Sequence, residues 1–175
     1  QEVDPILGPE MRSTGEVLGL SHFYGEAFYK AQEATQSKLP FEGTVLISVN
    51  KKDKKDIIEV AKSLHADGFK ILATEGTCKL INESGIPAEH VKKLQEGRPH
   101  ILDLITNGKI DLIVNSPVGK DSVEDDSYLR KAAIKKKIAY FTTMAAAKAG
   151  SSGIRSLKMY GASEVKSLQE LHSEI

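Results

Sequence analysis

At 175 residues, 40% of them hydrophobic and 27% charged, the chain is long enough for one core-bearing domain and an additional segment. Its 24 basic residues balance 24 acidic ones, which excludes bulk attraction to nucleic acid or to an anionic membrane. The single Cys78 excludes an intrachain disulfide framework, and no apolar run approaches a transmembrane span or a secretory signal, so a cytoplasmic setting is expected.

The chain opens Gln1-Glu2-Val3-Asp4 with no initiating Met, as expected of a piece excised from something longer. Residues 1 to about 20 hold two prolines and several glycines, with room for a short strand at either end of Met11–Leu20. Ser21 then suits the cap of a helix from about His22 to Ala34, with Phe23, Ala27, Phe28 and Ala31 as an apolar stripe. That stripe is too small to fold alone, so this segment is expected to lie on the next domain or to move. Gln36 to Pro40 reads as a linker.

From Gly43 the pattern is regular. Thr44 to Val49 is a β-branched apolar run, a buried strand, and Lys54 to Asp67 an amphipathic helix with Ile57, Ile58, Ala61 and Leu64 inward. Phe69 to Ala73 is a second strand that breaks into Thr74-Glu75-Gly76-Thr77, after which Cys78 to Ser84 winds as a helix. His90 to Leu94 reads as a short edge strand. Pro99 suits a first helical turn, and Ile101 to Thr106 is helical, closing at Asn107-Gly108. Ile110 to Asn115 is a strand, and Ser127 to Lys137 a helix with Leu129, Ala132, Ala133 and Ile134 inward. Ala139 to Thr142 is a strand, Met144 to Ala149 a short helix and Leu157 to Tyr160 a last strand. Ser163 caps a closing helix with Val165, Leu168 and Leu171. Strands alternating with helices predict an α/β, Rossmann-like three-layer domain on a mostly parallel five-stranded sheet.

In such folds ligands bind beyond the carboxyl ends of the strands, near the point where strand order reverses. The predicted ends carry Ser48, then Thr74 and Thr77, then Asn115-Ser116-Pro117, then Thr142-Thr143. Lys54 opens the helix after the first strand, and Lys93 ends the edge segment. Hydroxyls, an amide and two ammonium groups on one rim suit a nucleotide or a phosphorylated metabolite. A strand running into Thr-x-Gly-Thr at a helix start is itself an anion site, because first-turn N–H groups lack partners and the helix dipole favours negative charge. The same hydroxyls also read as helix caps and the lysines as solvated surface; the pattern alone leaves both readings open.

Other features point to structure rather than chemistry. Glu124-Asp125-Asp126 precedes a helix, where carboxylates offset the dipole, and the five histidines show no metal spacing, so no metal site is expected. Cys78 reads as a small buried residue, although a helix start lowers a thiol pKa. Lys135-Lys136-Lys137 suits a helix C-terminus, and there is no Gly-x-Gly-x-x-Gly or Walker loop. No Ser/His/Asp set or matched carboxylate pair sits at the strand ends, so no catalytic residue is expected.

The run Leu7-Gly-Pro-Glu-Met-Arg-Ser-Thr-Gly-Glu-Val-Leu-Gly19, with Glu26-Ala27-Phe28 through Ala31, Phe69 to Thr77 and Glu96-Gly-Arg-Pro-His100, resembles the C-terminal end of the carbamoyl-phosphate synthase large subunit. The resemblance covers essentially the whole chain. It implies that residues 1–40 are the tail of the second ATP-grasp (carbamoyl-phosphate synthetic) domain with a linker, and that residues 41–175 are a methylglyoxal-synthase-like allosteric domain. The parent implied is an ATP-dependent ligase of pyrimidine and arginine biosynthesis. It makes carbamoyl phosphate from bicarbonate, glutamine-derived ammonia and ATP, with Mg or Mn and K, in an oligomer that includes a glutaminase small subunit. This piece is implied to be non-catalytic and without cofactor, binding UMP, IMP and, at its border, ornithine. Carried over by position, Lys54, Thr74, Thr77 and Lys93 hold the nucleotide phosphate, Ser48 and Asn115 the nucleoside side, and Tyr140 and Thr142 the ornithine border.

The chain departs from the family pattern at three places: Pro117 replaces a common hydroxyl residue, Glu75 a common histidine, and Met144-Ala145-Ala146 an Asn-Gly-Gly. They bear on effector identity. Two further readings exist, a methylglyoxal-synthase-type phosphate lyase and a non-binding structural or oligomerisation domain. The lyase needs His-Asp after the first strand and Gly-Gly-Asp ahead of the third helix; here stand Ser48-Val49-Asn50 and Gly97-Arg98-Pro99-His100.

Overall fold

A computed structural model describes residues 17–35, 37–116, 123–161 and 167–173, with residues 123–126, 168 and 171 described by backbone alone. Five parallel strands lie in the order β3-β2-β1-β4-β5: β1 (Thr44–Val49), β2 (Lys70–Ala73), β3 (Glu89–His90), β4 (Leu112–Ser116) and β5 (Ala139–Phe141). The helices are α1 (Tyr24–Glu33), α2 (Lys54–Ala66), α3 (Glu75–Glu83), α4 (Ile101–Thr106), α5 (Val123–Lys136), α6 (Met144–Tyr160) and α7 (Leu168–Ser173).

Side chains alternate across a strand, and here the alternation sorts the core into two layers. Val45 and Ile47 of β1, with Ile71, Leu112, Val114 and Phe141, pack against α1, α2, α3 and α6 through Tyr29, Ile57, Leu64, Ile81 and Ile154. Leu46, Leu72 and Ile113 face the other way, onto Ile101 and Ile105 of α4 and Leu129 and Ala133 of α5. Val45, Leu46 and Ile47 are each 0% exposed, which is why β1 reads as a continuous apolar run rather than an alternating one.

Several sequence expectations shift. Helix α3 starts at Glu75 rather than Cys78, so Glu75, Gly76 and Thr77 form its first turn. The edge strand shrinks to Glu89–His90; Lys93 instead precedes a 3-10 turn at Leu94–Glu96. Pro99 lies outside α4, whose cap is His100, with Asp103 answering through its carboxylate. Ile134 turns outward at 67% exposure. The short helix and the last strand merge into the 17-residue α6. Gly150 and Gly153, beyond the expected end of the short helix, serve close packing: a Cβ at Gly150 would stand 2.4 Å from the Phe141 ring, and one at Gly153 would stand 3.0 Å from the Gly25 carbonyl oxygen.

The same crossing sets the buried face of α1. Gly25 and Tyr29 are buried against α6, whereas Phe23 is 64% exposed and stacks on Tyr160. Ser21 sits two residues before the helix cap Phe23, accepting its N–H at 3.1 Å and donating to Glu26. For α7 the capping residue is Ser167, which exchanges hydrogen bonds with Glu170; Ser163 and Val165 lie outside the described residues. So do residues 1–16, Pro117 and the side chains of Glu124, Asp125, Asp126, Leu168 and Leu171.

Candidate anion and nucleoside site at the strand ends

The chain runs β1 to β2 to β3 in one direction across the sheet and then returns to place β4 on the other side of β1. The strand order therefore reverses between β1 and β4, and their carboxyl ends flank the crevice where ligands enter such sheets. Ser48 pairs in register with Asn115 there. The neighbouring pairs are Ile47 with Ala73 and Val114 with Phe141. Carrying the parallel register on by one residue aligns Thr74, Ser48, Asn115 and Thr142 in one row across four strands. By alternation all four share the sheet face of Leu46, Leu72 and Ile113.

The row is hydrogen-bonded internally. Thr74 Oγ1 donates to Ser48 Oγ at 3.4 Å, and Asn115 Nδ2 donates to the Tyr140 hydroxyl at 2.6 Å. Thr74, Thr77 and Asn115 are 4%, 2% and 6% exposed, so these polar groups lie within the protein rather than on a solvated rim. Thr142 is exposed beyond the end of β5.

Thr74 is the cap residue of α3, with extended backbone, yet its side chain makes no capping bond. Thr143, in the same position before α6, does cap: its Oγ1 accepts from Ala146 N–H at 3.2 Å. Two threonines at two helix starts thus do different work. The first turn of α3 leaves the amide protons of Glu75 and Gly76 available to an anion, while the Thr77 N–H is held by the Thr74 carbonyl at 2.8 Å. Above it stands Lys54, whose ammonium donates to the Gly76 carbonyl at 3.0 Å. A Cβ on Gly76 would approach that ammonium to 3.1 Å, so a larger residue there would shift the end of the Lys54 side chain by a few tenths of an ångström. Glu75 and Lys93 are both exposed, with Lys93 just beyond β3 and its N–H bonded to Glu96 at 2.8 Å.

The structure therefore joins Lys54 to the turn holding Thr74 and Thr77, and Thr74 to Ser48. Asn115 and Tyr140 form a second pair, while Lys93 and Thr142 stand just beyond β3 and β5 at the same end of the sheet, outside these two groups. Sequence reading noted Asn50 only as a departure from the lyase motif and gave it no role; it lies half-buried at the crevice and bonds to Ser116. Its signal was the spacing Asn50-x-x-Asp53 ahead of a helix, a side-chain turn. Burial pushes the Cys78 thiol up, an effect that the hydrogen bond from Asn82 only partly offsets. Among the described residues no three His, Cys, Asp or Glu side chains converge as metal ligands, and no helix is long and apolar enough to cross a membrane.

Residues 56–142 match the model of the MGS-like domain family, and the chain carries a domain of that family. It is similar to "Carbamoyl phosphate synthase large chain, C-terminal section" of Methanopyrus kandleri, 48% identical over 97% of this chain and 31% of that protein. The C-terminal section from Aquifex aeolicus is 45% identical over 98% of this chain and 33% of its own length. The chain thus spans about a third of the length of these two relatives. Among solved structures, methylglyoxal synthase from Elizabethkingia anophelis NUHP1 has the same fold, with TM-score 0.55 at 15% identity over 77% of this chain and 92% of that one.

Proposed function

We propose that this chain is the regulatory end of a carbamoyl-phosphate synthase large chain and that its strand-end crevice is a receptor for a nucleoside monophosphate, UMP or IMP. The observation that carries the reading is the uncapped start of α3. Thr74 holds the cap position but turns its hydroxyl to Ser48, while Lys54 covers the same turn. Phosphate binds the N–H groups of Glu75 and Gly76, the hydroxyls of Thr74 and Thr77, and the ammonium groups of Lys54 and Lys93. The nucleoside extends along the row toward Ser48 and Asn115, whose neutral donors and acceptors suit sugar and base. Tyr140 and Thr142, at the β5 end, border an ornithine site.

On this reading residues 1–40 belong to the preceding ATP-grasp domain, and the intact protein makes carbamoyl phosphate with the rest of the large subunit and a glutaminase small subunit in the cytoplasm. Residues 41–175 themselves regulate and do no chemistry. Isothermal titration of the chain with UMP, IMP and ornithine tests the proposal. Nucleotide binding that weakens in Lys54→Ala and Thr77→Ala supports it; silence from both nucleotides overturns it in favour of a structural domain.

A further inference from the structure

We propose that Asn50 is the positioning residue that sets Lys54 over the anion turn, an inference that rests on the nucleotide reading above. Lys54 is poorly placed for its own helix. As the first residue of α2 it puts a cation at the positive end of the helix dipole, with Lys55 beside it. Nor does α2 fix its own start: the cap residue Asp53 has helical backbone angles, φ −87° and ψ −2°, and makes no capping bond.

Asn50 supplies the missing anchor. Its Oδ1 accepts from the N–H groups of Lys52 at 2.7 Å and Asp53 at 3.2 Å. Its Nδ2 donates to Asp53 Oδ2 at 2.6 Å and to Ser116 Oγ at 3.1 Å. Those four bonds use the full capacity of a carboxamide. The Asn50 backbone N–H also reaches Ser116, at 3.2 Å to both its carbonyl and its hydroxyl. Ser116 ends β4 and Asn50 follows β1, so the bonds span the crevice at the strand-order reversal. Asn50 thereby fixes the β1–α2 connection both to itself and to the opposite wall. Lys54 begins α2 immediately after this connection, and its ammonium reaches Gly76 at 3.0 Å. An amide suits the position because it accepts from the Lys52 and Asp53 N–H groups and donates to the Asp53 carboxylate, while the Ser116 hydroxyl can take either part.

The test is a double-mutant cycle in UMP titration with wild type, Asn50→Ala, Lys54→Ala and the pair, with unliganded thermal unfolding measured alongside. Asn50→Ala is expected to weaken UMP by about tenfold, the scale of one hydrogen bond to a charged group, and the pair to bind no more weakly than Lys54→Ala alone. Asn50→Asp, which keeps the acceptors but faces Asp53 with a second carboxylate, is expected to lose as much. Adding Asp53→Asn, which restores a donor to that contact, is expected to recover about half of the lost binding free energy; this series also carries the test if Asn50→Ala does not fold. Fully additive losses, or no loss in Asn50→Ala and no rescue in the swap, overturn the positioning role while leaving the nucleotide site intact. A wild-type chain that binds no UMP overturns both.

Discussion

The amide of Asn115 donates to the hydroxyl of Tyr140 at 2.6 Å, joining the end of β4 to the middle of β5 on the sheet face that also carries Ser48 and Thr74. Asn115 is 6% exposed, so a broken bond is not simply replaced by bulk water. Tyr140→Phe is expected to cost about 0.5–1.5 kcal/mol, the net worth of one hydrogen bond. A urea midpoint lowered at unchanged m-value checks it, and an unchanged midpoint counts against the bond as a stabilising contact.

Gly150 offers a contest between helix propensity and packing. Alanine is favoured over glycine inside a helix by about 1 kcal/mol, but overpacking a core costs about 1–3 kcal/mol. Here the new Cβ would meet Phe141 ring atoms at 2.4 and 2.5 Å, and Phe141 is itself held in the core at 6% exposure. Gly150→Ala is therefore expected to destabilise, and Phe141→Leu in the same chain to relieve part of the loss. Chemical denaturation of the single and double variants reads both signs.

Tyr29 gives the chain an alkaline limit. Burial raises its phenol from 10.0 to about 12, with the hydrogen bond to Glu33 and then its charge adding to the effect. Between those values the folded chain keeps a proton that the unfolded chain has released. The stability contributed is whole below pH 10 and is lost as pH rises toward about 12. Urea midpoints measured across that window should fall less steeply in Tyr29→Phe than in wild type; parallel falls would contradict the assignment.

Glu75 separates the needs of the helix from those of the ligand. In the first turn of α3 its carboxylate offsets the dipole, a contribution of about 0.3–1 kcal/mol at low ionic strength. The same charge repels a phosphate bound at that turn, by about 1 kcal/mol or less at an exposed site. Glu75→Gln is expected to lower stability slightly and to tighten UMP binding by about threefold at low salt, the gain fading as salt screens it. Titration at two ionic strengths, with thermal unfolding of the free protein, checks the opposed signs.

The sheet was legible in the sequence because Val45 to Ile47 and Leu112 to Val114 are apolar runs that only a two-sided burial explains. The rim was legible for a related reason: the hydroxyls and the amide fall at the last residue of each run or just past it. What joins them was not. The alignment of Thr74, Ser48, Asn115 and Thr142 depends on strand order and register, which no single segment carries. The Asn50–Ser116 pair spans 66 positions and is invisible to local pattern. Helix α6 was divided in sequence because Gly150-Ser-Ser-Gly153 has the composition of a break. Its glycines answer instead to Phe141 and to α1, contacts made across the fold. Thr74 and Thr143 both look like caps, and only the direction of each hydroxyl tells the uncapped turn from the capped one.

The most direct measurement of the anion site is a paired titration of the wild-type chain and Lys54→Ala with UMP and with uridine under the same buffer and salt. The phosphate is expected to make UMP at least about tenfold tighter than uridine on the wild-type chain, in line with charge-assisted hydrogen bonds to lysine and helix N–H groups. That margin is expected to shrink in Lys54→Ala. Equal binding of UMP and uridine, or a margin untouched by Lys54→Ala, would contradict the phosphate site at the start of α3.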